Sequence, residues 1–476
     1  MRNTDLISMG FDYLWLGILA AGVFGSGFII WYLCYFKRKC KDKKLNKGKV
    51  FLWCVFVIYM VVVFGATMLS RGNFYGNTKI YPIFYSYRDA WNDFSITEWR
   101  NIILNICMFV PLGVFLPILL KRMNSFWKVS LGGFFVTLFI ETSQLFLKRG
   151  VFEIDDLIGN TVGTMIGYGM YYLIFCLIRK KNNEDMPQMK VVLGYQVPLI
   201  MVVGVFVTIF LVYQMKELGN MPSAMLMKQK NIEVDSNVKF KDVTENVMVY
   251  KASVMTTDET QKMVQNLFNQ LGCEIDETRT DIYENTAVYY SCGKTDMDNR
   301  YSVWVEYDGG VFTFRDFDKQ YDEEKTVDVK TNAAENEIRT GLEQLGIFVP
   351  IEAVFTNKED GCYIFIADKL VVGDRMYDGY IECEYYEDGQ FGMIMYQMLV
   401  LDNYKTMKII SESEAYEKIE KGEFNYWRVN DEMMEIDISG VKIGYEMDTK
   451  GFYQPVYVFD AKVNEFTMQI SIPAIQ

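Results

Sequence analysis

The sequence predicts a polytopic α-helical membrane bundle of six transmembrane helices, followed by an extracellular α+β domain built of helix-then-antiparallel-strand units. Three observations predict it. Half of the 476 residues are hydrophobic and 16% are aromatic, and before residue 215 they gather into long runs while afterwards they alternate with polar residues. Charge divides at the same point: 22 Lys+Arg against 12 Asp+Glu up to Gln214, then 26 against 49 from Met215 onward, within a net charge of −13. A basic, apolar half joined to an acidic half implies at least two domains. The chain also has no histidine. That excludes Ser-His-Asp and Cys-His nucleophile systems, HExxH zinc sites and every other His-ligated metal site. The acidic half lacks the cationic surface that nucleic acid requires.

The six apolar runs cover 11–36, 50–69, 103–120, 126–147, 157–178 and 191–213. Each approaches the ~20 residues that a helix needs to cross a bilayer. The first is no signal peptide, because its positive charges follow the apolar run and no small-residue cleavage site appears. Lys37, Arg38, Lys39, Lys41, Lys43, Lys44, Lys47 and Lys49 follow the first run. Lys121, Arg122 and Lys128 follow the third, and Arg179, Lys180, Lys181 and Lys190 follow the fifth. Basic loops stay cytoplasmic, so the N-terminus and the acidic half are expected outside. The expected divisions are a membrane domain at 1–214, a tether at 215–241 and an outer domain at 242–476.

Polar residues within the runs need a reason, since ionisable groups in a bilayer are costly. Glu141 and Gln144 share a helix face near the outer end of the fourth run, and Asp156 and Asn160 share one at the outer start of the fifth, beside Asp155. Asn105 lies near the outer start of the third and Arg71 closes the second. At ~1.5 Å per residue these groups share nearly one depth. Two explanations stay open: a polar pocket facing the outer leaflet, or an internal network that locks the helices together. Gly159, Gly163 and Gly167 form a stripe that admits a close helix neighbour, and Pro111 removes a backbone donor from the third helix. Arg149 lies in the short turn between the fourth and fifth. Between Arg71 and Arg100, nine aromatic residues accompany Arg88, which suits either an interfacial anchor or a cover for the pocket.

The motif Asn105-Ile-Cys-Met-Phe109-Val-Pro111-Leu-Gly113, then Ile140-Glu141-x-x-Gln144, then Arg149 with Phe152-Glu-Ile-Asp155-Asp156-Leu-Ile-x-Asn160-Thr-x-Gly163 resembles the VanZ-like membrane family. The likeness runs over roughly 71–172, within an expected core of about 71–178. It implies a protein of the cell envelope, in a family named for low-level resistance to teicoplanin, a lipid-tailed glycopeptide. Carried over by position, the family's polar residues fall on Asn105, Glu141, Gln144, Arg149, Asp156 and Asn160. This chain departs in its Arg149-Gly150 order and in carrying Glu153 where an Asp is usual.

Beyond 241 the pattern is a helix followed by strands, three times, with units starting near 242, 325 and 405. Amphipathic helices are expected over 257–271 and 333–345, and Ser411-Glu-Ser-Glu414 reads as a capping box that opens a third. Asp308-Gly309 and Asp388-Gly389 read as hairpin turns. The last unit resembles the PepSY-type modules of YycH/YycI-like envelope regulators through its Ser411-to-Ile419 helix and its Gly451-Phe-Tyr-Gln-Pro-Val-Tyr-Val-Phe459 strand. That resemblance implies a surface that binds other envelope proteins. Of the nine cysteines, Cys273, Cys292, Cys362 and Cys383 fall in this half, where disulfides are permitted. The pairs Cys273–Cys292 and Cys362–Cys383 and four free buried thiols are the alternatives.

Three function classes follow. The leading one is a non-catalytic envelope protein that engages membrane lipids or a lipid-tailed ligand, without cofactor or metal, and contacts an envelope protein through 242–476. The second is an enzyme acting on lipid-linked envelope precursors, with Glu141 and Asp156 as acid and base, although no nucleophile motif accompanies them. The third is a membrane-anchored regulator of an envelope sensor kinase.

Overall fold

The computed structural model describes residues 18, 22, 47–69, 80–148, 150–283, 285–292, 300–321, 327–358, 360–426 and 433–475. The first predicted span, 11–36, lies outside them apart from Ile18 and Gly22. The chain divides into two units, Met1–Asn231 with Glu423–Met433, and Ile232–Gly422 with Met434–Gln476.

The first unit is helical. Its elements are α1 (Lys47–Phe64, extended by a π-helical turn over Gly65–Leu69), α2 (Tyr85–Asp93), α3 (Ile96–Leu119), α4 (Phe126–Phe146), α5 (Ile154–Lys181), α6 (Met189–Gly194) and α7 (Val197–Met215). Five of these helical segments are long and apolar enough to cross a membrane: Lys47–Met68, α3, α4, α5 and α7. Phe51, Trp127, Phe135, Phe139 and Leu177 are exposed on them, the inverted surface expected of helices solvated by lipid. A small core of Val63, Phe109, Leu112, Leu116, Val129, Ile140 and Tyr168 joins α1, α3, α4 and α5.

Local signals set the helix ends. Ser95 caps α3, its hydroxyl accepting the Thr97 N–H at 3.2 Å, as N-cap serines do. α5 opens with Asp155 and Asp156 and closes with Arg179, Lys180 and Lys181, each sign at the end of the helix dipole that favours it. α3 runs unbroken through Pro111 and Pro117. One turn below Pro111 the Tyr59 hydroxyl donates to the Met108 carbonyl at 2.8 Å. A short parallel pair, β1 (Ile80–Tyr81) and β2 (Phe152–Glu153), ties the start of α2 to the start of α5.

α3 and α5 approach to backbone contact. A Cβ on Gly163 would overlap the Ile106 carbonyl oxygen, one on Gly167 the Val110 carbonyl oxygen, and one on Gly113 the Thr164 carbonyl oxygen. Gly159 is different, since a Cβ there would meet only an Ile106 side-chain carbon at 3.5 Å. Two of the three predicted stripe glycines therefore make the seam, with Gly113 as their reciprocal on α3.

The second unit is a single mixed sheet of thirteen strands carrying the helices α8 (Thr257–Gln270), α9 (Phe317–Tyr321), α10 (Glu335–Gln344) and α11 (Glu412–Glu420). Its longest path runs β3 (Ile232–Ser236), β13 (Met434–Met447), β14 (Phe452–Val463), β4 (Asn246–Ala252), β12 (Phe391–Lys408), β8 (Phe312–Asp316), β7 (Tyr301–Glu306), β6 (Thr286–Tyr290), β5 (Asp281–Ile282). β9 (Val354–Asn357), β10 (Cys362–Val372) and β11 (Arg375–Tyr385) continue from β12, and β15 (Phe466–Pro473) flanks β14. Only β3 with β13 is parallel among these pairings. The eighteen-residue β12 pairs with β11, β8 and β4, so one strand fuses what the sequence presents as successive helix-then-strand units.

Capping boxes at Thr256/Glu259 and Ser411/Glu414 open α8 and α11. The predicted turns carry left-handed glycines, Gly309 at φ 75° and Gly389 at φ 79°, where a side chain would strain the backbone. Val264, Leu267 and Phe268 of α8 and Ile338 and Leu342 of α10 pack on Val303, Phe314, Phe365, Ile381 and Ile394 of the sheet. Arg300 forks onto the buried Asp316, donating from Nε and Nη2 at 3.2 and 2.8 Å.

The stretch read as a tether is ordered in both units. Within the first, the side chains of Asn220, Asn92 and Arg88 donate to the carbonyls of Trp91, Ala224 and Leu226. Residues from Ile232 form β3 of the second. Asn220, Asn92 and Arg88 supply the partners that a mainly polar segment needs to hold a fixed path.

Candidate functional site

The predicted polar residues of the first unit sit in a hydrogen-bonded seam. Thr137, Glu141 and Gln144 are spaced i, i+4, i+7 on α4, on one face, and all three are buried. The Gln144 amide donates at 2.8 Å to the Thr67 carbonyl in the π-turn after α1. The Asn160 amide donates at 2.8 Å to the Thr137 hydroxyl. Glu141 accepts the Glu153 backbone N–H at 3.2 Å, and Glu153 accepts the Ser86 hydroxyl at 2.9 Å. Asn105 donates to Asp156 at 2.6 Å. Gln144 Oε1 and Asn160 Oδ1 are buried without a hydrogen-bond partner among the described residues. Arg71 and Arg149 lie outside the described residues.

Asp155 acts across elements. The residue before α2 is Phe84, left-handed at φ 66° and unable to cap with its own side chain. Asp155 supplies the cap from α5, accepting the N–H groups of Phe84 at 2.6 Å and Ser86 at 2.9 Å. An anion at a helix N-terminus is well placed against the dipole, and hydrogen bonds to a charged group contribute about 1.5–3 kcal/mol each. The carboxylates thus pin α2 to the start of α5.

The cavity lies on the other side of α5. A space of about 600 Å³ opens between α2, α3, α5 and α7, within the roughly 300–1,000 Å³ span of small-molecule pockets. Tyr87, Arg88 and Trp91 line it from α2 and Trp99 and Ile106 from α3. Ile158, Val162 and Met165 line it from α5, and Met201, Val202, Val205, Phe206 and Ile209 from α7. Of the predicted residues that are described, only Asp155 borders it, with both carboxylate oxygens already accepting amides. An aromatic wall closes one end. Phe94 stacks on Tyr213, Trp99 meets Phe206 and Phe210 edge-on or tilted, and Trp91 meets Tyr213 edge-on.

Sequence reasoning noticed these aromatics as a group but not their geometry. The signal was present: Phe84, Tyr87, Arg88 and Trp91 fall at i, i+3, i+4, i+7, one helical face. The α7 lining carried no such signal, because lining and non-lining positions of that helix are alike apolar.

In the second unit the predicted disulfides are not formed; Cys273, Cys292, Cys362 and Cys383 are free thiols. Register explains the last pair. Cys362 stands opposite Glu384 and Cys383 opposite Tyr363, so the two cysteines point to opposite faces of the sheet. Cys273 and Cys292 donate instead to the carbonyls of Phe268 and Ile275. Burial pushes all four thiols upward, Cys273 to about 11, which disfavours reactive thiolate. A second cavity of about 370 Å³ lies within this unit, lined by Met255, Met263, Phe312, Phe348, Tyr396 and Val400 among others.

Residues 50–175 match the VanZ/LLP1 family. The matched stretch contains the five-residue polar seam on α3, α4 and α5, the glycine contacts and the trans-cap at Asp155. No curated protein matches. Among solved structures, an uncharacterized protein from Eubacterium rectale is 11% identical, with a TM-score of 0.24, covering 51% of this chain and 88% of its own. The Bacillus megaterium YpeB C-terminal domain is 12% identical, with a TM-score of 0.22, covering 47% of this chain and 94% of its own. Likenesses this distant carry no argument. The VanZ/LLP1 match and the apolar helices together make this a multi-pass membrane protein with a VanZ-like domain.

Proposed function

We propose that the VanZ/LLP1 domain is a non-catalytic amphiphile-binding domain of the cell envelope, and that the chain influences tolerance to lipid-tailed glycopeptides of the teicoplanin type. The observation that carries the reading is the 600 Å³ cavity between α2, α3, α5 and α7, walled by hydrocarbon and aromatic side chains. Such a space in a membrane helix bundle suits an acyl tail. The polar seam has a supporting part: Asp155, Asp156 and Glu153 use their carboxylates to hold α2 and α3 against α5, which keeps the cavity's roof in place. In this reading α2 lies at the outer leaflet, as the basic loops at the opposite ends of the helices predict, and the second unit is extracellular. There it meets another envelope protein, and the methionines beside the half-exposed Phe348 suit an adaptable contact.

Filling the cavity tests this. Val162→Phe on α5 and Val205→Phe on α7 each add a ring from opposite walls. Expressed in a susceptible host, both variants should lose the difference between teicoplanin and tail-less vancomycin susceptibility that the wild-type chain confers, with membrane abundance unchanged. Two abundant, folded variants that keep the full difference would overturn the proposal.

A further inference from the structure

Resting on the reading of the cavity as an acyl-tail site, we infer that its ligand carries an anionic, oxygen-rich headgroup, recognised by Arg88 and the Trp99 indole N–H: an acidic phospholipid-type amphiphile. Trp99 lines the cavity, is only 3% exposed, and its Nε1 donor has no acceptor among the described residues. A buried indole N–H nearly always finds a partner, and an indole can only donate, so the missing group is an acceptor oxygen. Arg88 lines the same cavity and is exposed, with one hydrogen bond at 3.2 Å to the Leu226 carbonyl. Its guanidinium keeps further donors for a phosphate, whose geometry it matches. Lys216 lies outside the lining, its Nζ 5.5 Å from the centre of the Trp91 ring and donating to Asn220.

The acidic residues nearby do not compete for these donors. Asp155 borders the cavity, but its oxygens accept the Phe84 and Ser86 amides. Asp89 and Asp93 lie on α2 outside the lining. Burial, and then the charges of Asp93 and Glu98, push the Asp89 carboxyl upward. The lining therefore offers apolar walls with Arg88 and Trp99 as its donors. A zwitterionic lipid brings a cation as well as a phosphate to Arg88, so an acidic headgroup is favoured.

The test uses the full chain in phosphatidylcholine vesicles and acyl-brominated lipids, which quench nearby tryptophan. The Trp99 contribution is taken by difference from Trp99→Phe. Brominated phosphatidylglycerol should quench it at a several-fold lower mole fraction than brominated phosphatidylcholine. Arg88→Gln should erase that preference while leaving quenching by both lipids in place. Soluble glycerol 3-phosphate, which has the headgroup chemistry without a tail, should not relieve the quenching. Equal quenching by the two headgroups in the wild-type chain would overturn the headgroup inference and leave the tail site standing, whereas relief by glycerol 3-phosphate would overturn the amphiphile by showing that a free phosphate suffices. Absence of Trp99 quenching by either lipid would instead remove the tail site itself.

Discussion

Helix α5 has two unlike neighbours. Toward α3 it presents Gly163 and Gly167, and the backbones touch so closely that neither position has room for a methyl group. Toward α7 it presents Ile158, Val162 and Met165 across a 600 Å³ space. One side of a single helix is sealed and the other is open. The difference teaches that the costly polar groups of a membrane domain need not line its cavity. Here Asn105, Glu141, Gln144, Asp156 and Asn160 cluster on the sealed side, where they hold helices in register, and the open side is left to hydrocarbon.

The sharpest way to break that comparison is to enlarge a seam glycine. Gly163→Leu forces the new side chain into the Ile106 carbonyl, and backbone cannot yield as a flexible side chain does. The expected cost is about 3 kcal/mol or more, seen as loss of monodisperse protein and of a cooperative thermal transition in detergent. Gly159→Ala, one turn earlier, should be nearly silent, because its Cβ finds only ordinary contact at 3.5 Å. Equal losses at the two positions would mean that the seam is no tighter at Gly163 than elsewhere.

Next in size is the trans-cap. Asp155→Ala removes the acceptor of two amide hydrogen bonds at the start of α2 and should cost about 2 kcal/mol. Ser86→Ala, which deletes one hydroxyl bond to Glu153, should cost about half as much. Because α2 forms the cavity's roof, the Asp155 variant should also release the α2 segment to limited proteolysis while α3 to α5 remain protected. Unchanged protection would detach the polar seam from the cavity and break the link between the two sides of α5.

How much of this was legible follows from the physics of each signal. Helix ends were readable wherever a charge or a cap marks them, as at Ser95 and at Arg179 to Lys181. The glycine stripe was readable because small residues at fourfold spacing have few other uses in lipid. The turns at Gly309 and Gly389 were readable from Asp-Gly pairs. The cavity was not, because in a bilayer an apolar residue facing lipid and one facing a void look alike in sequence; Val202 and Val205 carry no mark that Val203 and Val207 lack. The choice between disulfides and free thiols was likewise hidden. Cys362 and Cys383 are neighbours along the sheet, and only the register of β10 against β11 sends them to opposite faces.

The smallest expected effect tests the open side directly. Gly204 sits on α7 between the cavity-lining Val202 and Val205, and no atom lies within 4 Å of the place a Cβ would occupy. The same change that is forbidden at Gly163 is therefore sterically free here. Replacing an interior helix glycine by alanine gains up to about 1 kcal/mol from propensity alone, and that preference weakens where lipid already disfavours unwound backbone. Gly204→Ala should leave the melting temperature unchanged or raise it by a degree or two, and should leave quenching of Trp99 by brominated lipid unaltered. A clear destabilisation would mean that something occupies the space beside α7 in the folded protein, and the asymmetry of α5 would then be one of partners rather than of packing.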